Sequence, residues 1–258
     1  MTATDNQPAH AVPASRPYFY VWAAATCVAV AFLGFTPTYF SPLLRGAFTA
    51  HPIVHIHGLV FFSWTLFFTY QSWLVASGRP TRHREVGLIG ISLATAMSFL
   101  GLLVAISSAN RAAAAGQIEA AKDFMIVPVT GIATFAILFA CAIYYLRKIE
   151  IHKRLMLIAT ASILDAAVAR WFLTFLAPPL PPGVTVAVPP VGVALPPAFI
   201  VDLIIVAGMV YDWRTRGKPH PVYFIAGGAV LVQQILRLPL STTPAWDGIA
   251  AWLMGVMG

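Results

Sequence analysis

Seven apolar stretches succeed one another along this chain, and they constrain its fold more than any motif does. They run from Tyr18 to Thr38, Pro52 to Ala76, Val86 to Ser108, Phe124 to Leu146, Leu155 to Leu176, Ala198 to Tyr211 and Val222 to Leu238. Most approach the roughly 20 residues that an α-helix needs to cross a hydrocarbon core about 30 Å thick. With 59% apolar and only 10% charged residues, the composition is not that of a soluble domain. The expected fold is therefore all-α, a polytopic transmembrane bundle of seven helices over residues 18–240. Six helices is the alternative, because the sixth stretch is short unless it borrows from the proline-rich segment before it. The last apolar piece, Ile249 to Met257, is too short to cross, so residues 241–258 read as a tail at the membrane interface. Residues 1–17 read as a polar cytoplasmic tail. The first stretch lacks a clear small-residue cleavage site and reads as a retained helix.

Lysine and arginine set the orientation, since cytoplasmic loops carry the excess. Eleven gather on one side, at Arg16 and in the segments 79–84, 147–154 and 214–218, against Arg45, Arg111 and Lys122 on the other. Seven spans then place the N-terminus in the cytoplasm and the C-terminus in the periplasm of a bacterial inner membrane. The net charge of +7 is dispersed in singles and short groups between apolar runs, which marks topology rather than a nucleic-acid surface. The lipid bilayer is the expected partner, with another membrane protein as a further one and no nucleic acid. Cys27 and Cys141 lie in separate apolar runs and read as packing residues. No GxGxxG, P-loop, CxxC or HExxH pattern occurs, which removes the usual signals of nucleotide handling, structural zinc and zincin-type hydrolysis.

Between the fifth and sixth stretches, Ala177 to Pro197 holds eight of the chain's 20 prolines and no charge. Proline fixes φ and favours extended segments, so this reads as a stiff outer loop rather than a helix. The third and fifth stretches begin alike, His83-Arg84-Glu85-Val86-Gly87 against His152-Lys153-Arg154-Leu155-Met156, and Lys218-Pro219-His220 precedes the seventh. Gly90, Ala94 and Ser98, spaced by four, mark a face for close helix contact.

A charge inside the bilayer costs at least a few kcal/mol, so Asp165, Arg170, Asp202 and Arg237 should face the interior and find partners. At a rise of 1.5 Å per residue, His57, Arg170, Asp202 and Arg237 fall within roughly 10 Å of the outer boundary. Gln233 lies one turn from Arg237, and Asp165 is somewhat deeper. One function for such a cluster is a ligand, proton or cofactor site: arginines hold a carboxylate or propionate, Asp165 or Asp202 exchanges a proton, and His57 ligates a metal. The structural alternative is an Arg170–Asp202 or Arg237–Asp202 ion pair that fixes helix register. His57, Phe61, Trp64, Phe68 and Gln71 share one face of the second stretch. His51 and His55 are further metal-ligand candidates, although Pro52 makes His51 a cap or loop residue.

On the cytoplasmic side His83, His152 and His220 should lie at similar depth. Two histidines from different helices are what a low-spin haem b requires, with arginines such as Arg82, Arg84 and Arg154 on its propionates. The alternative is that these basic helix ends meet lipid phosphates.

The helix pair carrying His57-Gly58, Gln71, Leu74, Arg79, His83-Arg84 and Gly87 resembles a broad group of uncharacterised bacterial multi-pass membrane proteins. The His152-Lys153-Arg154-Leu155-Met156 run is similar to a helix start in small membrane proteins linked to the assembly of haem-copper oxidases. The resemblance implies a haem- or respiratory-chain-related role with His57, His83 and His152 as ligands. Three functions compete on this reading. One is a haem- or metal-binding protein of redox chemistry or oxidase assembly. The second is a transporter or small-molecule sensor built on the outer cluster. The third is a structural membrane protein whose polar residues only fix packing.

Overall fold

The computed structural model describes residues 18–178 and 188–256; the N-terminal tail with Arg16, the middle of the proline-rich segment and the last two residues lie outside the described residues. Seven helices are long and apolar enough to cross a membrane: α1 Phe19–Leu44, α2 Pro52–Ala76, α3 Pro80–Ala114, α4 Ile118–Tyr144, α5 Ile149–Phe175, α6 Val191–Arg216 and α7 Tyr223–Ser241. A shorter helix, α8 Pro244–Gly255, follows. No strand occurs among the described residues, and the chain is a multi-pass helical bundle in contact with lipid.

The helix α2 has the bounds expected of it, whereas most of the others run past their apolar stretches. Apolar length measures the hydrocarbon core, but backbone hydrogen bonding continues into the headgroup region. Thus α3 begins with a polar turn, Pro80–Glu85, before its apolar part Gly87–Ala114. The end of the proline-rich segment corrects the expectation of an extended loop. Val191–Ala194 is a 3-10 turn leading into the α-helix Leu195–Arg216, with Pro196 and Pro197 in the first turn, where the missing amide has no partner to lose. The sixth span is full length for this reason.

The axial helix is α5: half of its apolar core is buried in the bundle, against 17–33% for the other six. It is also interrupted. The first half ends at Ala161 and the second begins at Asp165, so a short turn containing Ser162 lies between them. The Ser162 hydroxyl donates back to the Ala159 carbonyl at 2.9 Å, competing with the helix ladder as such hydroxyls do. Close approach elsewhere depends on small residues. A Cβ placed on Gly34 would lie 2.5 Å from the Ala167 carbonyl oxygen, so α1 and α5 touch backbone to backbone. Gly90 and Ala94 are buried on α3 as expected, and Gly101 continues their face against Ile132 of α4. In α2, Trp64, Phe68 and Gln71 are buried, confirming the face read from their spacing.

The described part of the C-terminal tail is the helix α8, capped by the Thr243 hydroxyl and started by Pro244. It packs across the ends of α3 and α4. The Trp246 indole donates to the Lys122 carbonyl at 2.8 Å, Asn110 donates to the Met254 carbonyl at 3.1 Å, and Ala250 is fully buried.

Candidate functional site

The polar side chains collect at the two ends of the bundle. The basic end is where α1, α3, α5 and α7 begin; the other is called the far end below.

At the far end Thr130 of α4, Asp165 of α5 and Gln233 and Arg237 of α7 form a closed network. Arg237 is 3% exposed; its Nη1 donates to Asp165 Oδ2 at 3.3 Å and its Nε to Thr130 Oγ1 at 3.1 Å. The Gln233 amide oxygen, in the orientation that suits its neighbours, accepts from Arg237 Nε at 2.8 Å and from Thr130 Oγ1 at 2.5 Å. The break in α5 makes Asp165 a helix-start residue, with Oδ1 accepting the Ala166 amide at 2.7 Å. A cleft of about 270 Å³ between α4 and α7 is lined by Ile126, Thr130, Gln233, Leu236, Arg237 and Leu240 among others. The anticipated Arg237–Asp202 and Arg170–Asp202 pairs do not form. Arg237 turns to Asp165, and Asp202 instead accepts from Gln234 Nε2 at 3.3 Å. Depth along an axis gives height and says nothing about azimuth, so residues at one height need not meet: Asp202 and Arg170 stay outside the network that Arg237 forms with Asp165.

Arg170 has no hydrogen bond from its guanidinium and no ion pair among the described residues; it lies 5.3 Å from the centre of the Phe35 ring. His57 stacks on Phe61 with ring centres 4.1 Å apart, lies against the Leu100 backbone and within electrostatic reach of Arg170, and its Nδ1 is buried without a partner. His55 and His51 are spoken for. His55 Nδ1 and the Tyr39 hydroxyl share a hydrogen bond at 2.9 Å, and His51 caps α2 by accepting the Ile53 amide at 3.4 Å. Among the described residues no three His, Cys, Asp or Glu side chains are grouped to hold a metal ion.

At the basic end the dominant feature is an ion pair. Arg154 is 1% exposed and Asp212 is fully buried. Arg154 Nε donates to Asp212 Oδ2 at 2.8 Å and Nη2 to Oδ1 at 2.5 Å, a two-pronged contact suited to the planar guanidinium. Arg154 Nη1 is taken by the Glu150 carbonyl and carboxylate at 2.6 and 2.7 Å, and Arg216 reaches the same carboxylate. Arg154 is therefore engaged in the fold rather than free for a propionate. His220 does not join His83 and His152. It opens α7 instead, its backbone amide donating to Asp212 and its Nδ1 accepting from the Val222 amide at 3.2 Å. Desolvation lowers the His220 imidazole from its ordinary value, and Arg154 and Arg216 act in the same direction.

His83 and His152 do come together. Their rings meet edge to face with centres 6.4 Å apart. His152 Nδ1 lies 2.9 Å from the Ala142 carbonyl oxygen. A carbonyl can only accept, so Nδ1 carries a proton, and in the neutral imidazole it is Nε2 that holds the lone pair a metal would use. His83 Nδ1 is buried without a partner. Beside it Gln71, 9% exposed, donates Nε2 to the His83 carbonyl at 3.3 Å and leaves Oε1 unpaired.

Sequence reasoning missed Thr130, Glu150, Asp212 and Gln234. The signal for Asp212 was available: it follows the drawn end of the sixth stretch by one residue, as Arg154 precedes the drawn start of the fifth. Helices that extend a turn beyond the apolar run bring both inside. No family model, curated protein or solved structure matches this chain.

Proposed function

We propose that the protein handles a transition-metal ion in a bacterial inner membrane, with His83 and His152 as its ligands and the basic end facing the cytoplasm. The observation that carries this reading is the pairing of the two rings. Two imidazoles on one ion, each with a metal–nitrogen bond of ~2.0–2.1 Å, have ring centres roughly 5–6.5 Å apart according to the angle at the metal, so the two rings are within range and a turn of one from edge-to-face would bring both nitrogens to the ion. The Ala142 carbonyl orients His152 in the way second partners orient ligating imidazoles, and Gln71 Oε1 is a third donor at hand. Imidazole suits zinc, copper, iron and nickel, of which copper and iron fit a redox or oxidase-assembly role. Haem b is the larger form of the same reading. Arg82 and Arg84 are exposed and would serve propionates, and a bare ion asks for less space between the two rings than a macrocycle does. Another membrane protein would be the acceptor of the ion or electron.

The test is metal analysis with visible and electron paramagnetic spectra on detergent-purified protein from metal- and haem-replete cells. A bound first-row ion is expected, lost in His83→Ala and His152→Ala and retained in His55→Ala. A Soret band with the same mutational pattern would assign haem. A colourless, metal-free protein would overturn the reading.

A second reading, a sensor or transporter of small anions, is favoured by Arg170 alone. A guanidinium at the far end without an acidic partner, near the bare Nδ1 of His57, is arranged to receive a carboxylate. Organic acids at millimolar concentration should then raise the unfolding temperature, and Arg170→Gln should abolish the rise. An equal rise in both proteins would sink it.

A further inference from the structure

We propose that Asp202 holds an exchangeable proton shared with the Gln234 amide, making the contact between α6 and α7 a proton-binding site within the membrane span. The site is at the far end, away from His83 and His152, and does not depend on the metal reading.

Asp202 is seven residues into the α-helical part of α6, about 10 Å along its axis. The charged groups that act on it come from two helices, Asp165 from α5 and Arg237 from α7, while Arg170 of α5, at the same end, lies over the Phe35 ring. Of the other titratable groups on elements packed against α6, Glu119, Lys122 and Asp123 open α4 at the far end, where Lys122 pairs with Glu119 and Asp247, and α1 carries Cys27 in mid-span and Tyr39 toward the far end. Tyr20 of α1, Glu150, His152, Lys153 and Arg154 of α5, and Tyr223 of α7 belong to the basic end. So do Asp212, Arg214 and Arg216 of α6 itself. Of the far-end cations, Lys122 is taken by Glu119 and Asp247, and Arg237 gives its hydrogen bonds to Asp165, Thr130 and Gln233. Arg170 gives none. Asp202 is left with a single neutral donor, Gln234 Nε2 at 3.3 Å. An ionised carboxylate so poorly supported is costly within the span, and it is made costlier by Asp165, which shares its surroundings.

The partner carries the second mark. Gln234 is 3% exposed, and its Oε1 is buried with no donor. A carboxylate has no hydrogen to offer that oxygen. A carboxylic acid has one: its O–H donates to Oε1 while its carbonyl oxygen accepts from Nε2, closing a two-bond ring that satisfies both groups. On release the O–H bond breaks, the proton passes to water and Oε1 is orphaned again, so binding and release are reported by one amide. Asp202 is only part-buried and lies about 10 Å from the start of the α-helical part of α6, so exchange requires that its open side reach the water at that end.

Infrared difference spectroscopy on the purified full chain tests this. At neutral pH the wild type should show the C=O stretch of a protonated carboxyl group, shifted in D2O. Asp202→Asn should remove it and Asp165→Asn should keep it. Should Asp202→Asn fail to fold, Gln234→Leu decides: the stretch moves to higher frequency if the acid is bonded to the amide. Absence of the protonated band, a band that survives Asp202→Asn or a band unmoved by Gln234→Leu would overturn the proposal. So would a carboxylate signal that follows sodium concentration instead of pH, which would make the occupant a cation.

Discussion

Replacing Arg154 by leucine is expected to destabilise the folded chain in detergent by about 3–5 kcal/mol, the cost of stranding a buried charge. Asp212 would be left fully buried with its two strongest donors gone, holding only the His220 amide at 3.1 Å. The double variant Arg154→Leu with Asp212→Leu should recover most of the loss, because apolar replacement of a buried pair is often close to neutral. Arg216→Leu is the control: its side chain is 44% exposed, and exposed pairs contribute about 0–1 kcal/mol. Unfolding titrations of the four proteins would give the ordering, and equal effects of Arg154→Leu and Arg216→Leu would show that the pair is wet.

The second large effect is steric. Gly34→Ala is expected to cost about 1–3 kcal/mol, the usual range for overpacking a tight core. It should fall at the upper end, because the new methyl group meets the Ala167 carbonyl oxygen at 2.5 Å and backbone cannot rotate away as a side chain can. Gly248→Ala makes the contrast. Nothing lies within 4 Å of a Cβ there and the residue is inside α8, so about 0.5–1 kcal/mol of stabilisation is expected from the helix backbone alone. Thermal unfolding of both variants checks the pair, and a neutral Gly34→Ala would mean that α1 and α5 can slide apart without penalty.

The number and order of the spans were legible because the length of an apolar run answers directly to the thickness of a bilayer. The buried face of α2 was legible too, since Trp64, Phe68 and Gln71 repeat with the period of a helix. What the sequence could not carry was azimuth. Height placed His57, Arg170, Asp202 and Arg237 at one end, with Asp165 deeper, but of the four only Arg237 enters the network, because which acid meets the guanidinium depends on the rotation of α5 and α6 about their own axes. The break after Ala161, which contributes to that rotation, contains no proline or glycine to announce it. The Arg154–Asp212 pair was lost for a different reason. A hydropathy boundary falls where charge begins, and the residues that tie two helices together at the headgroup level are the ones such a boundary discards. Thr130, a small hydroxyl in an apolar run, is indistinguishable in sequence from the threonines that bond only to their own helix.

The interrupted axial helix also sets a problem for biosynthesis. Helix α5 carries Arg154 and Asp165, and their partners, Asp212 and Arg237, arrive on α6 and α7, later in the chain. A single charge at the centre of an inserting helix costs about 2.5–3.5 kcal/mol in translocon-based scales, and less toward its ends. As it leaves the ribosome, α5 is therefore a poor substrate for lateral release into lipid and becomes a good one only after the last two spans have emerged. Asp165, the charge deeper in α5, is expected to insert more readily once α7 supplies Arg237, so the helix at the centre of the finished bundle should settle after those around it.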